Sequence, residues 1–240
     1  MTEPWQAAER HSLATSVALH LAPGALLAIV FLLLAPAVNR AGGSSYLAIL
    51  LCIPLVLVPF EVGVLLVART RLGCSLGSFA VLRGSQPLSV PASLLSVAVL
   101  YALAMLAAAA VSPLRTAALR AVTGWLPQWP VIGELPAGIS QGTLWLGLAL
   151  SGVVAPVAEE LYFRGYLMPR IPVAGAWAPA ANAALFSIYH FYTPWNWVPI
   201  FAAFLPLVYY VRLRGRLLPV IVTHCMFNSL GVLAALVGRA

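Results

Sequence analysis

The sequence contains no lysine and no aspartate, and only 8% of its 240 residues are charged. A soluble domain carries about 25% charged and about 45–50% apolar residues. Here hydrophobic residues make up 62% of the chain, and the mean hydropathy is +0.97. This composition excludes an ordinary soluble domain and predicts an all-α, polytopic membrane protein.

Cysteine is also scarce. Cys52, Cys74 and Cys225 show no C-x-x-C spacing, so the sequence predicts neither a disulfide framework nor a thiolate metal site. The charged residues are six glutamates and thirteen arginines. In a soluble protein this excess of positive charge would suggest nucleic acid, but these arginines lie in short connections between apolar runs. We therefore expect the lipid bilayer, and no nucleic acid, as a partner.

Apolar stretches of about 20 residues predict where the chain crosses the membrane. They favour a bundle of seven transmembrane helices, with a hidden eighth as the alternative. Segment 112–142 is too polar to cross and is predicted to be an interfacial helix and loop. The predicted spans are residues 13–37, 46–68, 88–111, 143–167, 176–192, 195–211 and 218–237.

Proline and arginine add detail to this bundle. Five prolines inside the spans predict kinks or broken helical turns. The arginine bias predicts a cytoplasmic N-terminus, because most arginine-rich connections then lie on the cytoplasmic side. The prolines are Pro23, Pro54, Pro59, Pro156 and Pro206. The arginines predicted on the cytoplasmic side are Arg10, Arg69, Arg71, Arg83, Arg164, Arg170, Arg212, Arg214 and Arg216. Those predicted on the opposite side are Arg40, Arg115, Arg120 and Arg239.

Two adjacent glutamates, Glu159 and Glu160, lie inside the predicted fourth span. A charged side chain at the centre of a membrane helix costs about 2.5–3.5 kcal/mol on insertion scales, so this pair indicates a functional site. Glu160 and Arg164 are four residues apart and share a helix face, where they can form an ion pair. Glu159 is turned about 100° away, which leaves its carboxylate for chemistry.

Two further polar motifs follow in the next apolar helices. His190 ends the fifth predicted span, four residues after Phe186, while His224 and Asn228 share one face of the last span. A carboxylate general base, a histidine that holds water, and a second histidine with an amide at the oxyanion suit hydrolysis of an amide bond. Glu159, His190 and His224 could also hold a zinc ion with an open position, and the sequence leaves both mechanisms open.

In this order the three motifs resemble those of the CPBP family of intramembrane proteases, which process CAAX proteins and bacteriocins and are also called the Abi family. The resemblance covers about residues 143–237, which we take as a catalytic helical core, with residues 1–142 as N-terminal transmembrane helices and an interfacial segment. It implies a helical bundle around a catalytic cavity. It also implies endopeptidase activity towards a membrane-embedded or membrane-anchored polypeptide, often near its C-terminus.

The resemblance further implies a role for each motif residue. Glu159 activates water with His190, the two polar residues of the last helix stabilise the oxyanion, and the ion pair orients the site. The compact chain looks bacterial, so we expect a protein of the inner (cytoplasmic) membrane. The candidate catalytic residues are Glu159, Glu160, Arg164, His190, His224 and Asn228.

Other interpretations remain at this point. The alternative function is a non-catalytic membrane immunity or partner protein, and a proton-coupled transporter could use the same glutamate and histidines as a relay. Glu61, a further carboxylate in the second span, is interpreted as structural, and His11 and His20 as surface and packing residues.

Overall fold

The computed structural model describes residues 9–82, 87–126, 129–130, 135, 138–173 and 175–238. Within these ranges the chain forms eight helices and no strand, so the predicted all-α membrane bundle is confirmed. In chain order they are α1 (Leu13–Arg40), α2 (Ser45–Leu72), α3 (Val90–Ala110), α4 (Ser112–Trp125), α5 (Gln141–Arg170), α6 (Trp177–Tyr189), α7 (Trp197–Arg214) and α8 (Leu218–Val237).

Six of the described helices are long and apolar enough to cross a membrane, so the chain is an integral membrane protein. The predicted fifth span is shorter than expected, because α6 has only 13 residues. At 1.5 Å per residue it is about 20 Å long, against a hydrocarbon core of about 30 Å. The described residues thus contain six full-length spans rather than seven. The direction of insertion stays a prediction, and two of its arginines, Arg83 and Arg239, lie outside the described residues.

Prolines interrupt two of the long helices, as the sequence predicts. A π-helical turn lies at Ile53–Leu57 in α2 and at Leu150–Val154 in α5, each followed two residues later by a proline. Pro156 has no N–H to donate to the Ser151 carbonyl, which is left without a helical partner. Asn228 of α8 donates to that carbonyl, with 3.2 Å between Nδ2 and the oxygen.

The first helix is joined to α5 by a bond of the same kind. Pro23 removes the donor that the Leu19 carbonyl would otherwise have four residues later in α1. The Tyr162 hydroxyl of α5 donates to this carbonyl at 2.7 Å. Because lipid offers no hydrogen bonds, such side-chain donors hold α1 and α8 against α5, the helix that carries the paired glutamates.

The segment predicted to be interfacial begins with α4, a helix of 14 residues in which no residue is buried. Its place at the membrane surface stays a prediction. This helix contacts the turn between α6 and α7. Arg115 Nε donates to Asn196 Oδ1 at 2.9 Å, and Trp129 Nε1 donates to the Tyr192 carbonyl at 3.3 Å. The contacts fix the turn that follows the short helix α6.

A glycine lets α1 approach the C-terminal end of α6. A Cβ atom at Gly24 would overlap the carbonyl oxygen of Tyr189, which is backbone and cannot move aside easily. The close contact therefore depends on the absence of a side chain in α1, and it positions the residue immediately before His190.

We predict that Gly24→Ala lowers the free energy of unfolding by about 1–3 kcal/mol, because the added methyl group overpacks the contact. The midpoint of thermal unfolding of the detergent-solubilised protein measures the effect. Gly63→Ala in α2 is the matched control, since a Cβ there meets nothing within 4 Å. Equal thermal midpoints for Gly24→Ala and Gly63→Ala would contradict the close contact between α1 and the Tyr189 carbonyl.

Candidate active site

Glu159 lies in the wall of a cavity inside the helix bundle. Its side chain is almost completely buried, and each carboxylate oxygen has a neighbour. The Tyr189 hydroxyl donates to Oε1 at 3.2 Å, and His224 Nε2 lies 3.6 Å from Oε2. A carboxylate that is oriented in this way and still borders a cavity can accept a proton from a molecule bound there.

Glu160 joins two of the other candidate residues behind the cavity. Its Oε1 lies 3.4 Å from Arg164 Nη1, so the ion pair expected from the spacing is present. The same oxygen lies 2.9 Å from His224 Nδ1. The imidazole of His224 is therefore placed between two carboxylates, with Nδ1 on Glu160 and Nε2 towards Glu159.

The guanidinium of Arg164 is fully buried and is covered by aromatic rings. Its Cζ lies 3.9 Å from the ring centroid of Phe186 and 5.1 Å from that of Phe204. A desolvated cation–π contact contributes about 2 kcal/mol. Phe186, the first residue of the second motif, thus stabilises the cation that accompanies the paired glutamates.

His190 caps the C-terminal end of α6 and lines the same cavity as Glu159. Its Nδ1 lies 2.8 Å from the Phe186 carbonyl oxygen. A carbonyl can only accept, so Nδ1 carries the proton and Nε2 presents a lone pair in the neutral ring. This bond fixes the ring, and Nε2 can then accept a hydrogen bond from a molecule in the cavity.

The cavity has a volume of about 490 Å³, within the range of about 300–1,000 Å³ typical of ligand pockets. Most of its described lining is apolar and comes from the transmembrane helices and the turn after α6. Glu160 and Arg164 do not belong to that lining. The candidate residues that line it are Glu159, His190, His224 and Asn228.

The zinc alternative stays a prediction. Among the described residues, no group of three or more histidine, cysteine or glutamate side chains could hold a metal ion. His224 has both ring nitrogens beside carboxylates, with Nδ1 bonded to Glu160.

Sequence reasoning missed Tyr189 and set Glu61 aside as structural. Glu61 is fully buried. Its carboxyl group interacts electrostatically with Glu159 and Arg164, so it belongs to the same buried cluster. The sequence held one signal: a proline precedes Glu61 by two residues, much as Pro156 precedes Glu159 by three.

The remaining histidines and cysteines lie outside the cavity lining. His20 is buried between α1 and α6, where its ring nitrogens contact the Ser16 carbonyl at 2.7 Å and Asn182 Nδ2 at 3.1 Å. This agrees with the interpretation of His20 as a packing residue. His11 is half-buried just before α1, and its backbone N–H donates to the Arg170 carbonyl. The three cysteines are free thiols.

Residues 141–230 match the family model described as type II CAAX prenyl endopeptidase Rce1-like. Over this segment the chain is therefore similar to the CAAX protease (CPBP) family. The matched segment begins at the first residue of α5 and ends within α8, so it contains all three motifs. The resemblance predicted from the motifs is thus confirmed for this segment. No curated protein and no solved structure shows a significant match to the chain.

We predict that Arg164→Leu lowers the free energy of unfolding by about 3–5 kcal/mol, because it leaves the Glu160 carboxylate buried without its counter-charge. Arg164→Lys keeps the charge but not the planar contact with the rings. Its stability should therefore lie between that of the wild type and that of Arg164→Leu. The thermal midpoint in detergent is the measurement, with Arg120→Leu on the exposed side of α4 as control. A wild-type midpoint for Arg164→Leu would rule out this role.

For Glu61, in contrast to Arg164, we predict that loss of the charge does not lower the stability. Three carboxyl groups share one arginine in the buried cluster, so the neutral Glu61→Gln should melt at or above the wild-type temperature. Glu61→Ala removes the packing of the side chain and should lose about 2 kcal/mol or more. An equal loss in both variants would mean that the charge of Glu61 itself is required for folding.

Proposed function

We propose that the chain is an intramembrane endopeptidase in which Glu159 activates water for attack on a peptide bond. One observation carries the proposal: a carboxylate, two imidazoles and a carboxamide from α5, α8 and the end of α6 line one cavity within the bundle. The family match over these helices supports the same reaction class.

In the first step a water molecule lies between Glu159 and His190. Glu159 takes a proton from the water as the water oxygen bonds to the carbonyl carbon of the substrate. The Nε2 lone pair of His190 accepts the other hydrogen of the water and holds its position. The Tyr189 hydroxyl keeps the carboxylate oriented through its bond to Oε1.

The oxyanion formed in this attack is stabilised by donors from α8. His224 and Asn228 are four residues apart on one face of that helix. Glu160 fixes the ring of His224 through Nδ1, and an N–H at Nε2 would donate to the oxyanion. One N–H of Asn228 is bonded to the Ser151 carbonyl, and its second N–H is available as a donor.

The intermediate then collapses as the bond between carbon and nitrogen breaks. The leaving nitrogen takes the proton that Glu159 accepted from the water, so the site returns to its starting state. The products are a new carboxyl group and a free amine. No covalent enzyme intermediate is required, since water is the nucleophile throughout.

The substrate we propose is a membrane-embedded or membrane-anchored polypeptide cut near its C-terminus. The apolar lining of the cavity suits an apolar peptide or a lipid-modified one. The description of the matching family names CAAX prenyl endopeptidases, so a prenylated tail is a suitable first probe. We also propose that the chain lies in the bacterial inner membrane with its N-terminus in the cytoplasm.

The test is quantitative mass spectrometry of membrane-protein termini in a host that expresses the wild-type chain or Glu159→Gln. We expect new termini with the wild type and a loss of at least about 100-fold in Glu159→Gln, as for removal of a general base. Both proteins must accumulate equally. Cys225→Ser is the matched control, because Cys225 neighbours His224 but does not belong to the described cavity lining.

Unchanged processing by Glu159→Gln would refute the proposed mechanism. If a biological effect of the chain, such as protection against a toxic peptide, survived in that variant, the non-catalytic membrane partner would become the better interpretation.

A further inference from the structure

The cavity that contains Glu159 also has one arginine, Arg115, in the described part of its lining. This residue comes from α4, outside the segment that matches the family model. The described lining around it is otherwise mostly apolar. Arg115 is half-buried, and its positive charge in a mostly apolar wall makes the cavity suited to an anionic group.

The guanidinium of Arg115 is held by a neutral partner. Its Nε donates to Asn196 Oδ1 at 2.9 Å, which fixes the plane of the group without cancelling its charge. The two terminal NH₂ groups form the fork that binds a carboxylate with two parallel hydrogen bonds. The pair therefore resembles a prepared carboxylate receptor, with Asn196 as the positioning residue.

This receptor is tied to the catalytic side chains through the turn after α6. The Thr193 N–H donates to the His190 carbonyl at 3.0 Å, and the Asn196 N–H donates to the Thr193 carbonyl at 2.8 Å. His190 and Asn196 thus stand at the two ends of one compact, hydrogen-bonded turn. The separation between Arg115 and the proposed water-binding histidine is consequently fixed by the fold.

We propose that Arg115 binds the C-terminal carboxylate of the substrate and thereby selects chain ends for cleavage at Glu159. This inference rests on the proposed peptidase function. A polypeptide backbone has one obligatory negative charge, at its C-terminus, and a chain passing through the cavity would leave Arg115 without a counter-charge. The tail that is released then lies between Glu159 and Arg115.

An anionic phospholipid headgroup offers the same charge, but the position of Arg115 favours the substrate. Arg115 lines the same cavity as the proposed catalytic carboxylate, whereas Arg120 of the same helix is exposed and lies outside the described lining. A residue that served only to anchor α4 at the lipid surface would have no reason to line that cavity.

The experiment uses the purified full-length chain in phosphatidylcholine vesicles and a pair of quenched fluorescent peptides. Both end in S-farnesyl cysteine followed by three apolar residues, and they differ only in a terminal carboxylate or carboxamide. We expect the wild type to show a KM at least about tenfold lower for the acid, as for a charge-assisted bidentate contact. Arg115→Gln should raise the KM of the acid to that of the amide and leave the amide unchanged.

Two further variants separate this role from a structural one. Arg120→Gln removes the same charge from the same helix and should keep the preference for the acid. Asn196→Asp leaves Arg115 in place but pairs it with a carboxylate, and it should abolish the preference for the acid over the amide. A preference for the acid that persists in Asn196→Asp would count against the assignment.

Binding is measured in parallel with the inactive Glu159→Gln, by fluorescence anisotropy of the same two peptides without the quencher. Tighter binding of the acid supports the carboxylate site even if the wild type cleaves neither peptide, a result that would reject only these two peptides as substrates. Equal binding and equal KM for acid and amide would overturn the role of Arg115. If Arg115→Gln changed the KM only with phosphatidylglycerol in the vesicles, and equally for both peptides, Arg115 would bind an anionic lipid headgroup instead.

Discussion

The structure depends on one buried cation. Arg164 supplies the only permanent positive charge of the described glutamate cluster, in which Glu61, Glu159 and Glu160 are its electrostatic partners. Its guanidinium is enclosed by Phe186 of α6 and Phe204 of α7, and its ion pair with Glu160 leads to His224 of α8. A buried charge is stable inside the bundle only when counter-charges and aromatic rings surround it. The contacts of Arg164 therefore join α5, α6, α7 and α8 around the carboxylates.

A side chain of the proposed site also donates to a backbone carbonyl that a proline leaves without a helical partner. Asn228 donates to the carbonyl that Pro156 leaves free, and it also stands on the face of α8 that lines the cavity. The break in α5 therefore serves two purposes, since it admits a donor from α8 and fixes the side chain proposed to stabilise the oxyanion. Breaks of this kind are common at functional sites because they redirect side chains without ending a helix.

Much of this arrangement could be predicted from the sequence because it is local. The positions of the long helices follow from apolar runs, and the contact of Glu160 with Arg164 follows from a spacing of four residues. Contacts between helices could not be predicted in this way. Nothing in the spacing indicates that His224 lies between two carboxylates, that Tyr189 donates to Glu159, or that α6 ends early, since these depend on how the helices pack.

The early end of α6 explains how a histidine from that helix can reach the cavity. A continued helix would direct the His190 carbonyl to an N–H four residues on, which here belongs to the proline at 194 and does not exist. The chain instead turns, and that carbonyl accepts bonds from the Thr193 N–H and from Trp197 Nε1 at 3.2 Å. The short helix is thus a consequence of the sequence after it, and the resulting turn sets His190 and the partner of Arg115 at one cavity wall.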